Sequence, residues 1–204
     1  MEYKIIDILF PILLHFLALQ LMTLTGIADA ALRTMLAAVI TMPLFLTIYR
    51  RDEAMWPAEK KKITWYAAIG TSVAAAALNL LLSALLIWIT ADHGSPAASQ
   101  EALLSSRLIF QILGMGAAVP ITEELVFRGL VYRKLERYLS ERQAVLLGAA
   151  LFAIYHGNVT QALFAFPMGV ILNLLYRKYR DLRMPILFHA ASNLTAVLLT
   201  ALQF

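Results

Sequence analysis

Leu103–Leu139 reads LLSSRLIFQILGMGAAVPITEELVFRGLVYRKLERYL, and the fold turns on how this stretch is laid out. Most of it is apolar, yet Glu123, Glu124 and Arg128 stand in its middle. Ionised groups in hydrocarbon are costly and persist there only when paired, solvated or put to use. As one continuous helix, ~37 residues would run ~55 Å, nearly twice the ~30 Å hydrocarbon thickness of a bilayer. Gly114, Gly116 and Pro120 offer break points. The expectation is therefore two helices sharing one crossing, interrupted between Gly114 and Thr122, with the glutamates at the break. Non-helical backbone at that depth is tolerated only when buried in protein or lining a wet cavity.

The rest of the chain is the reason to read this stretch as membrane-embedded. Of 204 residues, 61% are hydrophobic and 15% charged, with a mean hydropathy of +0.73. Apolar segments run about 5–25, 30–49, 63–90, 103–119, 144–156, 160–176 and 185–202, with a further helical stretch near 122–139. The class is all-α: a polytopic membrane protein of about seven to eight helices, forming a single domain over 1–204. The N-terminal run ends in "IADAA" (Ile27–Ala31), like a signal-peptide cleavage site, but it is long and further spans follow, so a first transmembrane helix is expected. The chain has no cysteine, which removes disulfides, Cys-ligated zinc, iron–sulfur clusters and a thiol nucleophile together. Its formal charge of +4 points to no nucleic acid, because the basic residues cluster in loops between spans.

Those clusters orient the chain. Arg50, Arg51, Lys60, Lys61 and Lys62 fall in one loop, Arg133, Lys134, Arg137 and Arg142 in a second, and Arg177, Lys178, Arg180 and Arg183 in a third. The intervening "GIADA", "ADHGSPAASQE" and "HGNVT" contain no Lys or Arg. The positive-inside rule then puts the N-terminus and the basic loops in the cytoplasm.

Polar residues inside the spans are the candidate site. Glu124 and Arg128 are spaced i, i+4 and pair along one helix face, while Glu123 is rotated about 100° away and free to face something else. Taken alone, this is as well read as a structural ion pair with a spare carboxylate. "FAIYH" puts His156 at the end of a span with Phe152 one turn earlier; "HAASN" puts His189 and Asn193 on one face of the last helix. His15 and Asn79 are isolated and read as structural. Counted from the nearest basic residue at ~1.5 Å per residue, Glu123 lies ~15 Å deep, Asn193 ~15 Å, His189 ~9 Å and His156 ~21 Å. Three helices thus bring a carboxylate, two imidazoles and an amide toward one layer, which independent structural residues need not do.

The chain has no H-E-x-x-H, no G-x-G-D, no G-x-S-x-G and no glycine-rich phosphate loop. What remains is an acid–base hydrolase inventory of base, water-holding imidazole and hydrogen-bond donors. Zinc held by Glu123, His156 and His189 is a minority alternative, and no cofactor is otherwise expected.

"EELVFR" (Glu123–Arg128), "FAIYH" (Phe152–His156) and "HAASN" (His189–Asn193) resemble the EExxxR, FxxxH and HxxxN motifs of the CAAX protease and bacteriocin-processing (Abi) family of intramembrane proteases, which includes the type II CAAX prenyl endopeptidases. The resemblance covers about 103–200, the expected catalytic core. It implies a glutamic protease with a cavity open to the cytoplasm and bilayer. Glu123 would be the base that activates water, with His156 helping to position it. His189 and Asn193 would form the oxyanion site, and Glu124, Arg128 and Phe152 would support them. The substrate would be a membrane-associated peptide or protein, and the short loops point to a bacterial plasma membrane. The alternative is a non-catalytic protein of the same fold, such as a bacteriocin-immunity or assembly factor.

Overall fold

The computed structural model describes residues 2–90 and 98–202; residues 91–97, part of the "ADHGSPAASQE" loop, lie outside them. The helices are α1 (Glu2–Thr23), α2 (Ala30–Met55), α3 (Trp65–Thr90), the short α4 (Ala98–Leu104), α5 (Leu108–Leu135), α6 (Glu141–Tyr155), α7 (Val159–Tyr179) and α8 (Arg183–Ala201). No strand occurs among the described residues. Six of the helices, all but α4 and α6, are long and apolar enough to cross a bilayer. The all-α membrane architecture is therefore as expected.

Helix ends follow local chemistry. Asp29 caps α2 by accepting from the Leu32 amide at 2.9 Å, and its other oxygen accepts from the Arg107 amide at 2.9 Å, tying the start of α5 to the start of α2. Burial raises the Asp29 carboxyl, but these donated amides outweigh it and hold the group below its ordinary range. Asn158 caps α7 through the Gln161 amide at 2.8 Å. Gly157, with φ of +76°, ends α6 in the left-handed region that a side chain would strain.

The expected break in the middle of α5 is absent. The helix passes through Pro120 without interruption, and the chain instead leaves the helix at its two ends, in 105–107 and after Leu135. What remains is a helix of 28 residues, ~42 Å by the α-helical rise. Gln111–Ala118 and Leu125–Tyr132 are wound in the wider π form, with i→i+5 bonds that shorten the rise further. The expectation of two helices separated by a break is thus overturned: one helix runs unbroken through Pro120, shortened by its winding and by the loss of helix at its two ends.

Pro120 fits because of that winding. The Val119 N–H reaches back to the Gly114 carbonyl, five residues earlier. In the same pattern residue 120 would serve the Met115 carbonyl, and proline has no N–H to give. The Asn193 side-chain amide of α8 takes its place, donating to Met115 O at 2.9 Å.

The three basic clusters gather at one end of the bundle. Asp52 of α2 accepts from Arg133 Nε at 2.9 Å and Arg137 Nη2 at 2.6 Å, and Arg133 also donates to the Trp56 carbonyl at 2.7 Å. Lys134 pairs with Asp7 of α1 at 2.8 Å, Arg180 with Glu136 at 2.5 Å, and Arg177 with Glu141. The Lys61 amide donates to the Tyr179 carbonyl at 2.9 Å. The opposite end is poor in charge but not free of cations: Arg33 and Arg107 lie there, just outside the loops counted above. Trp65 and Trp88 stand exposed at the two ends of α3, where amphipathic rings suit membrane interfaces.

Small residues set the close approaches. Ala31, Ala37 and Ala38 of α2 are fully buried, and a Cβ on Gly114 would come within 3.3 Å of the Ala31 carbonyl. A Cβ on Gly169 of α7 would meet the Ala149 Cα of α6 at 3.0 Å. That contact brings the α7 backbone within reach of the α5 side chains.

Candidate active site

Arg128 is wholly buried, and every donor group it carries is answered. Nη1 donates to Glu124 Oε1 at 2.9 Å, Nε to Asn173 Oδ1 at 3.2 Å and Nη2 to the Gly169 carbonyl at 3.3 Å. Its guanidinium carbon lies 4.4 Å from the centre of the Phe152 ring, a cation–π contact. A planar fork serves three directions at once, which a lysine does not. Arg128 thereby joins α5 to α6 and α7.

Glu124 is fully buried, and its Oε1 is shared: Arg128 holds it from one side, and His189 Nδ1 of α8 lies 2.8 Å away on the other. Its Oε2 has no partner among the described residues. The i, i+4 pair read from the sequence is present, and it recruits a histidine that the spacing did not foretell.

Glu123 differs from its neighbour. It is 7% exposed, and among the described residues its carboxylate makes no hydrogen bond; His189 Nε2 lies 3.8 Å from Oε2. The hundred-degree rotation thus separates one carboxylate that is consumed by structure from one that is not.

The histidines have defined tautomers. His156 Nδ1 lies 2.8 Å from the Phe152 carbonyl, which only accepts, so Nδ1 carries the proton and a neutral ring presents Nε2 as an acceptor. His189 likewise commits Nδ1–H to the Glu124 carboxylate, so any proton it exchanges moves at Nε2, the nitrogen facing Glu123. Phe152 is the partition between them, with its ring centre 4.8 Å from His156 and 5.8 Å from His189.

The structure therefore draws Glu123, Glu124, Arg128, Phe152, His156 and His189 into one cluster. Asn193 stands one turn beyond His189 and donates one amide hydrogen to Met115 O; its amide makes no other hydrogen bond among the described residues. Asn79 has the structural role expected, donating to the Ser192 carbonyl and hydroxyl at 3.1 Å each.

Three contributors were missed in the sequence. Asn173 accepts from Arg128 and donates to the Val145 carbonyl at 2.9 Å; its i, i+4 spacing from Gly169 was the signal that a small-residue face carried an amide. Tyr155 and His15 are hydrogen-bonded to each other at 2.6 Å, and the Tyr155 ring lies 5.9 Å from that of His156. Among the described residues, no three His, Asp or Glu side chains are grouped as a metal ion would require.

Residues 105–195 match the family model described as Type II CAAX prenyl endopeptidase Rce1-like. The UPF0177 protein YaiH of Lactococcus lactis is 31% identical over 111 residues, covering 52% of this chain. The chain spans 45% of that relative's length. No solved structure matches.

Proposed function

We propose, for a chain whose residues 105–195 match the type II CAAX prenyl endopeptidase Rce1-like family model, that it is an intramembrane endopeptidase acting on a membrane-associated peptide or protein through a glutamate-activated water. The observation that carries this reading is the asymmetry of the two glutamates: Glu124 is spent on Arg128 and His189, whereas Glu123 is buried, unbonded and faces an imidazole nitrogen. An ordinary structural carboxylate at this depth would be paired.

In this reading Glu123 takes a proton from a water that His156 Nε2 holds by accepting its second hydrogen. The oxygen attacks the substrate carbonyl. The proton on His189 Nε2 and the free amide hydrogen of Asn193 stabilise the oxyanion that develops. Collapse of the tetrahedral intermediate breaks the C–N bond, and the proton held by Glu123 passes to the leaving amine. Glu124 and Arg128 do no chemistry; they fix the tautomer and position of His189. The residues hold no designated cofactor in this scheme. Chelator treatment is expected to leave cleavage intact, and loss of activity restored by zinc alone would promote the metal alternative at Glu123, His156 and His189.

The chain is read as lying in a plasma membrane with the basic end of the bundle and the N-terminus in the cytoplasm. A periplasmic reporter fused after Lys61 is expected to be inactive, and activity there would reverse the orientation. The functional test is a peptide inventory of membranes from cells expressing wild type or Glu123→Gln. Fragments that appear with the wild type alone identify the substrate. Identical inventories would favour a non-catalytic role such as immunity or assembly.

A further inference from the structure

Pro120 is buried in the middle of α5, shortly before Glu123, and the scheme above gives it no part. What its ring withholds is a hydrogen-bond donor. Helix α5 runs through Gln111–Ala118 in the π form, and the Val119 N–H is committed to the Gly114 carbonyl. The Met115 carbonyl is then left to position 120, which has no N–H to give. A carbonyl inside an apolar bundle costs free energy if it bonds nothing. The Asn193 side chain answers it from α8, with Nδ2 2.9 Å from Met115 O.

The close approach that allows this bond is also built into the sequence. A Cβ added to Gly116, the residue after Met115, would lie 2.6 Å from Cδ2 of Leu194, the residue after Asn193. Glycine lets α8 lie against the α5 backbone there, so that a side chain as short as asparagine's spans the gap. The bond fixes how the amide is turned. Nδ2 carries two hydrogens in one plane, so committing one to Met115 sets the direction of the other. One turn earlier on α8, His189 Nδ1 is held by Glu124 of α5 at 2.8 Å. Contacts on either side of Pro120 along α5 thus hold the face of α8 that carries His189 and Asn193.

We propose that Pro120 is a positioning residue for Asn193: by leaving the Met115 carbonyl without a backbone donor, it captures one hydrogen of the Asn193 amide and aims the other at the substrate carbonyl. The inference rests on reading Asn193 as a donor to the oxyanion, but the capture is testable apart from that. A proline in mid-helix ordinarily only weakens the helix. Here the gap it makes is what turns a side chain of the neighbouring helix.

The test uses the full chain in detergent micelles and the variant Pro120→Ala, which returns an N–H to position 120 in a residue that favours helix. The side-chain ¹⁵N–¹H₂ signals of Asn193 are identified by their absence in Asn193→Ala. In the wild type they should report one bonded and one unbonded hydrogen. In Pro120→Ala both should be unbonded, because the backbone takes the Met115 carbonyl. Asn193 signals that still report the bond would overturn the proposal. Cleavage of a farnesylated CAAX peptide in the same micelles gives the kinetic arm. Pro120→Ala should lower kcat about tenfold to 10²-fold with KM unchanged, as a misaimed group does, while its melting midpoint matches or exceeds that of the wild type. Asn193→Ala should lower the midpoint in the native background, where it strands the Met115 carbonyl, and much less in the Pro120→Ala background, where the backbone already serves it. Equal losses in the two backgrounds would overturn the capture. A wild-type kcat in Pro120→Ala, with Glu123→Gln inactive, would sink this inference and leave the proposed function standing. Full activity in Glu123→Gln would sink the function, while the ¹⁵N signals and the midpoints still decide the capture.

Discussion

Glu123→Gln is expected to reduce peptide cleavage by roughly 10²–10⁴-fold, the usual contribution of a general base, while the thermal midpoint in detergent stays near that of the wild type. The two halves of this expectation come from the same geometry. The carboxylate makes no hydrogen bond among the described residues, so the amide of glutamine has little to break and occupies nearly the same volume. Glutamine cannot take the proton from water, although its amide stands where the native Oε2 lies 3.8 Å from His189 Nε2. Glu123→Asp keeps the charge but withdraws it by one methylene, and should retain a measurable rate if a bridging water follows it. The measurement is cleavage of a farnesylated CAAX peptide, or of a fragment found by the membrane inventory, with matched melting curves. Near-wild-type cleavage by Glu123→Gln would end the assignment of this residue as the base.

Much of this site was legible because hydrocarbon makes polar residues conspicuous. Depth arithmetic from the basic loops brought Glu123, His156 and His189 to neighbouring layers, and they do meet around Phe152. The i, i+4 rule gave the Glu124–Arg128 pair and correctly freed Glu123. The same rule was silent on His189 closing onto Glu124, because contacts between helices depend on rotation about each axis, which spacing along one helix does not encode. The predicted break at Gly114–Thr122 failed for a related reason. Glycine and proline mark where a helix is weak, but π winding at Gln111–Ala118 and an amide from Asn193 satisfy the backbone there without a break. His15 was set aside as isolated. Its partner, Tyr155, lies 140 residues away in the chain.

Arg128→Ala is expected to be the most destabilising single change in the bundle, costing about 3–5 kcal/mol, the range for breaking a buried ion pair from one side. Removal of the guanidinium leaves Glu124 as a buried carboxylate with His189 as its remaining partner, and strips the donors from Asn173 Oδ1 and the Gly169 carbonyl. It also leaves an empty space over the face of Phe152. Arg128→Lys should recover little, because an ammonium reaches one of these acceptors but does not span α5 to α7 as a fork does. Glu124→Gln should fall between: an amide oxygen still accepts from Arg128 and His189, but the charge that balances the guanidinium is gone. Activity should decline in all three through His189, because the group that accepts from its Nδ1 is less firmly fixed and Nε2 is then less well aimed at Glu123. The order of thermal midpoints is the discriminating result. Glu123→Gln should melt like the wild type, Glu124→Gln lower and Arg128→Ala lowest. An Arg128→Ala protein that melts with the wild type would show that this buried network does not hold the helices together, and that the pairing of Glu124 has to be explained by chemistry instead.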